Sequence, residues 1–179
     1  MDSATSKTTD ATRVYVRLRK DILKGILKPE AKLQIRNIAD KYQAGVSPVR
    51  EALNRLSSEG VVDHRERRGF FVPSINIDDL HVLVKTRCWL EGKALEQSIV
   101  NDSQEWEERI VLAFHRLMRK TAILRESVGA YVGNPEWEEL HRAFHLALIS
   151  GCGSPWLLKY CSDLIDHAHR YRSISNVLD

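Results

Sequence analysis

No run in this sequence approaches the ~18 consecutive apolar residues that a helix needs to cross a bilayer, so no segment reads as a membrane-spanning helix. The first dozen residues are polar and rich in Ser, Thr and Asp, without the apolar core of a secretory signal. Residues 1–12 therefore read as a flexible leader, and the expected compartment is the cytoplasm. Cysteine is scarce. Cys88, Cys152 and Cys161 form an odd set with no CxxC spacing, which argues against a disulfide framework and against a thiolate zinc knuckle. Catalytic signatures are missing too: there is no nucleophile elbow and no phosphate-binding glycine loop. The segment His141-Arg142-Ala143-Phe144-His145 has no Glu beside its first His, so it is not an HExxH zinc motif. An enzyme built on a His141/His145 metal centre is the minor reading.

What is present is an ordinary mixture for a folded chain, 43% apolar and 28% charged, enough to build cores. The charge is unevenly placed. Residues 1–77 carry 15 Lys and Arg against 9 Asp and Glu, a net +6; residues 78–179 carry 12 against 15, a net −3. A basic front joined to a mildly acidic rear suits a polyanion binder fused to a second domain.

Hydrophobic periodicity divides the chain in the same place. Val14, Leu18 and Ile22 repeat at helical spacing and predict a helix over 13–24, closed by Gly25. Residues 26–32, with Pro29, read as a connection. A short helix is predicted over 35–42, then a tight break over 43–46 that contains Gly45. Ser47 is the expected N-cap of a third helix, with Pro48 in its first turn. Val49, Ala52, Leu53 and Leu56 form its apolar stripe, and Gly60 ends it. The apolar runs Val61-Val62 and Phe70-Phe71-Val72 enclose Asp63-His64-Arg65-Glu66-Arg67-Arg68-Gly69, which predicts a hairpin with a charged tip. Residues 13–73 thus form one domain and 74–77 a linker. From 78 onward the pattern is wholly helical, with helices predicted over 78–100, 103–124, 134–150 and 154–172. Leu80, Leu83, Val84, Leu90, Ala94 and Leu95 are expected inward on the first of these, and Trp106, Ile110, Phe114 and Leu117 form the stripe of the second. The fold class is mainly α: a winged helix-turn-helix of three helices plus a β-hairpin, then an all-α antiparallel helical bundle.

That order carries a function. A recognition helix must bury one face and offer the other to the major groove, where every base pair is distinguishable. Burying the stripe leaves Ser47, Arg50, Glu51, Asn54 and Arg55 outward, and the hairpin tip adds Arg65, Arg67 and Arg68 beside Gly69, placed for phosphate or minor-groove contact. A winged helix used only for protein contacts is the competing use of the same surface.

The motifs in this region are specific. Leu18-Arg19 with Ile22 and Gly25, Ile38-Ala39, the string Ser47-Pro48-Val49-Arg50-Glu51-Ala52-Leu53, Leu56 with Glu59-Gly60, and Arg68-Gly69-Phe70-Phe71-Val72 together resemble the winged-helix domain of the GntR family of regulators over residues 15–73. The resemblance implies DNA contacts from Arg36, Ser47, Arg50 and Arg68-Gly69. The full candidate set is Arg36, Ser47, Val49, Arg50, Asn54, Arg55, Arg67, Arg68 and Gly69. Gly45 and Val46 stand where many members carry a serine cap and a basic residue.

Residues 78–172 resemble the FCD ligand-binding class of that family through Asp79-Leu80, Arg87, Leu90-Glu91, Phe144-His145 and Gly153-Ser154-Pro155-Trp156-Leu157-Leu158. The resemblance implies a dimerising helical bundle that holds a divalent metal (Zn, Ni or Mn) beside a small carboxylate effector. His145 matches the family pattern; His141 stands where an Asp is usual, at i, i+4 from His145, so both imidazoles can reach one ion. His167 and His169 do not fall at family positions, Asp163 and Asp166 are possible supplements, and the expected domain is incomplete at Asp179. Arg87 can pair either with a ligand carboxylate or with Glu91 at i, i+4. The expected partners are a pseudo-palindromic double-stranded operator, a second copy of the chain and a small organic acid, with no membrane.

Overall fold

A computed structural model describes residues 9–126 and 134–178. The elements run α1 (Asp10–Leu23), β1 (Lys32–Leu33), α2 (Ile35–Tyr42), α3 (Val46–Ser58), β2 (Asp63–Arg65), β3 (Gly69–Phe71), α4 (Ile77–Asn101), α5 (Gln104–Glu126), α6 (Pro135–Ile149) and α7 (Pro155–Leu178). The chain divides into two compact units between Ile75 and Asn76. No described helix is long and apolar enough to cross a membrane.

In the first unit α1 begins inside the expected leader, at Asp10, because the Thr9 side chain accepts the Thr12 backbone N–H as an N-cap. Residues 1–8 of that leader lie outside the described residues. α1 and α3 pack through Val14, Leu18, Ile22, Val49, Leu53 and Leu56, all fully buried. The turn between α2 and α3 differs from the expected one. The left-handed residue is Gln43 (φ 52°), not Gly45; Gly45 is extended and is itself the N-cap, so Ser47 lies within the helix rather than capping it. Arg13 on α1 donates to the Gln43 carbonyl at 3.1 Å. A contact from 30 residues away thus helps hold a conformation that local propensity would assign to glycine.

Val61-Val62 is likewise not a strand. Gly60 takes φ +70°. The Val61 N–H bonds the Leu56 carbonyl at 2.9 Å and the Gly60 N–H bonds Ser57 at 3.1 Å, the paired bonds of a Schellman helix end with its apolar contact between residues 61 and 56. The hairpin therefore starts two residues later, with Arg65 opposite Gly69 and His64 opposite Phe70. Their rings stack 4.5 Å apart. A third strand, β1, pairs antiparallel with β3 and gives the sheet order β1-β3-β2.

In the second unit α5 packs against α6, while α4 packs against α7 and α6. Asn134 accepts the N–H groups of Glu136 and Trp137 and Pro135 occupies the first turn of α6, as the Asn-Pro pair predicts. Ser154 accepts the Leu157 N–H at 3.2 Å at the start of α7. The core gathers Ala94, Ile149, Cys152 and Cys161 with Leu90, Leu146, Leu157 and Leu158 around them. Trp106 is buried and donates from Nε1 to the Ala147 and Leu148 carbonyls at the end of α6. A Cβ on Gly151 would meet its ring at 3.2 Å and the Ser98 Cβ at 3.3 Å, a tight fit that a glycine avoids. Two residues expected inward are not: Val84 is 45% and Phe114 49% exposed. Phe114 nonetheless keeps one ring contact inside the unit, its centroid 5.6 Å from that of Phe144 on α6.

Candidate nucleic-acid interface and effector site

One carboxylate ties the first two helices together. Asp21 on α1 accepts Lys41 Nζ and the Tyr42 hydroxyl, each at 2.7 Å, from the last turn of α2. Burial alone would push this carboxyl up, but the two hydrogen bonds outweigh it and hold the group below its ordinary range. The Tyr42 hydroxyl, half-buried and donating to an anion, is pushed up in turn. α2 is thereby tied to α1, and α3 is packed on α1, so the two helices that face outward share one support.

On α3 the stripe Val49, Ala52, Leu53 and Leu56 is buried and Ser47, Arg50, Glu51 and Asn54 are exposed. Val49 is 0% exposed, so its side chain leaves the candidate contact set: it belongs to the stripe that anchors the helix. Arg55 is exposed but engaged, its guanidinium 4.3 Å over the Tyr15 ring. Tyr15 donates to Glu59 at 2.7 Å. Burial, then that bond to Glu59, pushes its hydroxyl up to about 12. Arg36, Arg50 and Arg67 are exposed and make no ion pair among the described residues. The wing tip is built by Arg67 at φ 57° and Gly69 at φ 90°. Arg65 folds back, 4.5 Å over the Phe71 ring and 3.5 Å from Asp63; Arg67 and Arg68 are exposed at the tip, with the Arg68 guanidinium 5.9 Å from the same ring.

In the helical unit the predicted residues come together. Arg87 Nε donates to Glu91 Oε1 at 2.6 Å, His145 Nδ1 lies 3.5 Å from Glu91 Oε2, and His145 Nε2 lies 3.3 Å from His141 Nε2. The His141 ring also stacks on Trp137 at 4.6 Å. Glu91 is held below its ordinary range because the hydrogen bonds from His145 and Arg87 outweigh its burial. A further layer was not legible in the sequence. Buried Glu138 accepts Arg172 Nη2 at 3.0 Å and sits 3.3 Å from His169 Nδ1. Arg142 clamps Asp166 through Nε (2.6 Å) and Nη2 (3.3 Å) and also donates to Ser162. Asp163 pairs with Lys159 at 2.8 Å. Asp166 and Asp163 are therefore held in ion pairs rather than aimed at a metal. The helical charges Glu138 and Arg172 carry no local pattern; only their 34-residue separation across two helices makes a pair.

Two nitrogens bound to one tetrahedral ion at ~2.0–2.1 Å stand ~3.3 Å apart, which is the spacing between the His141 and His145 Nε2 atoms. Glu91 behind His145 Nδ1 is the usual orienting partner of such a ligand. A zinc site takes three or four protein ligands, however, and no group of three His, Cys, Asp or Glu residues converges among the described residues. The described side chains supply two donors and do not complete the expected site.

Burial pushes His141 from its ordinary 6.5 down to about 4, with His145 and then Arg172 acting in the same direction. Between those values the unfolded chain takes up a proton that the folded one resists. The contribution of His141 to stability is therefore intact above pH 6.5 and declines as pH falls toward 4. With metal chelated, the Tm of the wild type should fall more than that of His141→Gln over this window; parallel curves would contradict a neutral, desolvated His141.

Residues 10–72 match the family model described as bacterial regulatory proteins, gntR family, and residues 82–178 match the FCD domain. The chain is 37% identical over 162 residues to the HTH-type transcriptional regulator BphR of Paraburkholderia xenovorans, covering 90% of this chain and 65% of that protein. It is 32% identical over 160 residues to the HTH-type transcriptional repressor GlaR of Escherichia coli, covering 89% and 71%. The chain thus spans roughly two thirds of the length of these relatives. Among solved structures, E. coli McbR/YncC shares the fold with a TM-score of 0.74 at 22% identity, over 94% of this chain and 76% of that one. On these matches the chain belongs to the GntR family of bacterial regulatory proteins, with an FCD domain as its helical half.

Proposed function

We propose that the protein is a sequence-specific DNA-binding transcription regulator of the cytoplasm. In this reading it is a homodimer that grips a pseudo-palindromic double-stranded operator. The observation that carries the reading is the division of α3: four apolar side chains anchor it, and Ser47, Arg50 and Asn54 stand exposed on the rest of the helix. A helix so divided can lie in the major groove and present Arg50 to guanine O6 and N7. Arg36, Arg67, Arg68 and the Gly69 backbone supply phosphate or minor-groove contacts, with Arg55 a contributor only if it leaves Tyr15. Exposed apolar side chains on α4 and α5, among them Trp89, Val100, Val111, Leu112 and Met118, support a seam with a second copy. Such a dimer would read two half-sites related by its own two-fold axis. GlaR is named a repressor, and repression is the mode we assign here.

The helical unit in this reading takes a small organic acid. Arg87 spends only Nε on Glu91, so its remaining donors suit a carboxylate. His141 and His145 border the same place. Binding there would act by shifting the population of dimer conformations.

Selection of duplexes from a random pool, followed by anisotropy titrations in increasing salt, tests the DNA reading. A two-fold-related sequence bound far more tightly than random competitor, with affinity falling steeply with salt, is the expected result. Binding with no sequence preference at physiological salt would refute it. A panel of mono-, di- and tricarboxylates is expected to contain one that shifts wild-type operator affinity but not that of Arg87→Leu; a panel with no effect removes the effector assignment and leaves the DNA reading standing.

A further inference from the structure

The first turn of α3 presents an aliphatic side chain to solvent. Val46, the first residue of the helix, is 48% exposed, and it belongs to neither core cluster. The cap before it is Gly45, which has no side chain to pack on it. Val46 precedes Arg50 by four residues, so the two share one side of the helix with their Cα atoms ~6 Å apart along the axis. Arg55 lies on the opposite flank, where Tyr15 holds it. The exposed first-turn surface beside Arg50 is thus a hydroxyl, Ser47, and two methyl groups.

We propose that Val46 is a specificity-determining residue that reads the C5-methyl group of a pyrimidine, thymine in ordinary DNA, within two base pairs of the guanine contacted by Arg50. This rests on the reading that α3 enters the major groove. The thymine methyl is the one bulky apolar group on the base edges there; the others are hydrogen-bond donors and acceptors or the small C5–H of cytosine. An isopropyl group pressed on a donor or acceptor strips its water and returns nothing; against a methyl it buries apolar surface on both sides. The ~6 Å offset between Val46 and Arg50 spans under two base-pair steps of ~3.4 Å, which sets the expected distance between the two reads. Ser47 hydrogen-bonds to any base edge, so it does not supply this discrimination.

The test uses the whole chain and the preferred duplex from the selection. The guanine read by Arg50 is located as the position where Arg50→Ala loses its base preference. Each thymine near it is then replaced by uracil, which removes one methyl and keeps every hydrogen-bonding group; each cytosine is replaced by 5-methylcytosine, which adds one. One thymine within two base pairs should weaken binding by about three- to tenfold on conversion to uracil, the worth of burying one or two methyl-sized groups. Val46→Ala, with an unchanged Tm, should lose most of that difference and keep the preference for guanine. Uracil and thymine bound alike at every position in that window, or methyl discrimination retained in Val46→Ala, would overturn the proposal while leaving α3 as the reading helix. A protein that selects no sequence at all overturns this proposal and the DNA reading together.

Discussion

Arg50→Ala is expected to lower affinity for the selected operator by roughly five- to a hundredfold while leaving affinity for random duplex within about a factor of three. One bidentate guanine contact is worth about 1–3 kcal/mol of discrimination, and 1.4 kcal/mol is tenfold. Loss of one cation changes the salt slope by only ~1. Arg50 is exposed and makes no ion pair among the described residues, so its removal should leave stability within ~0.5 kcal/mol. Equal loss on operator and random duplex would make Arg50 a phosphate contact. No loss on either would remove α3 as the reading helix and favour the use of this winged helix for protein contacts alone.

Leu53→Ala should be among the most destabilising single truncations in the front unit. Leu53 is fully buried where α3 meets α1 and the side chains of Val14, Leu18, Ile22 and Leu56 surround the same core. Removing a buried leucine costs about 2–5 kcal/mol, depending on how far the site collapses. For a unit of this size each kcal/mol lowers Tm by ~4–8 °C, so the front unit should melt at least ~8 °C earlier. The four tryptophans, Trp89, Trp106, Trp137 and Trp156, all lie in the second unit. Their fluorescence therefore reports that unit alone, whereas far-ultraviolet circular dichroism reports both. The expected outcome is an early dichroism transition that the fluorescence does not follow, with operator binding lost at the earlier temperature. Asn54→Ala, one residue on but exposed, should change neither. A Leu53→Ala protein with a wild-type melting curve would contradict the α1–α3 packing on which the reading helix depends.

The boundaries that were legible in the sequence are those with a local chemical cause. Asn134-Pro135 is a cap followed by a residue with no N–H to lose, and α6 begins there. The α3 stripe is legible because 3.6-residue periodicity survives in any helix that packs one face. The failures share the opposite property. Ser47 has the chemistry of a cap, but the turn is closed from α1 by Arg13 and the cap falls to Gly45. β1 is two residues long, too short to have a period. Val61 and Val62 have strand propensity but are consumed in finishing a helix. Val49 shows that one position cannot serve both the core and the groove. Glu138, His169 and Arg172 look like solvated helical charges until two helices bring them together.

The amino-acid sequence by itself determined the two-part organisation, the basic reading unit and the helical rear, because charge, periodicity and caps act within a few residues of their cause. Tertiary structure alone decided which arginines remain available. Arg55 is drawn onto Tyr15 and Arg65 onto Phe71, while Arg50 and Arg67 are exposed and make no ion pair among the described residues. It also decided that the two rear histidines face one another at 3.3 Å with Glu91 behind them and no third ligand among the described residues. Those outcomes depend on distances between helices and strands, which no local pattern of residues encodes.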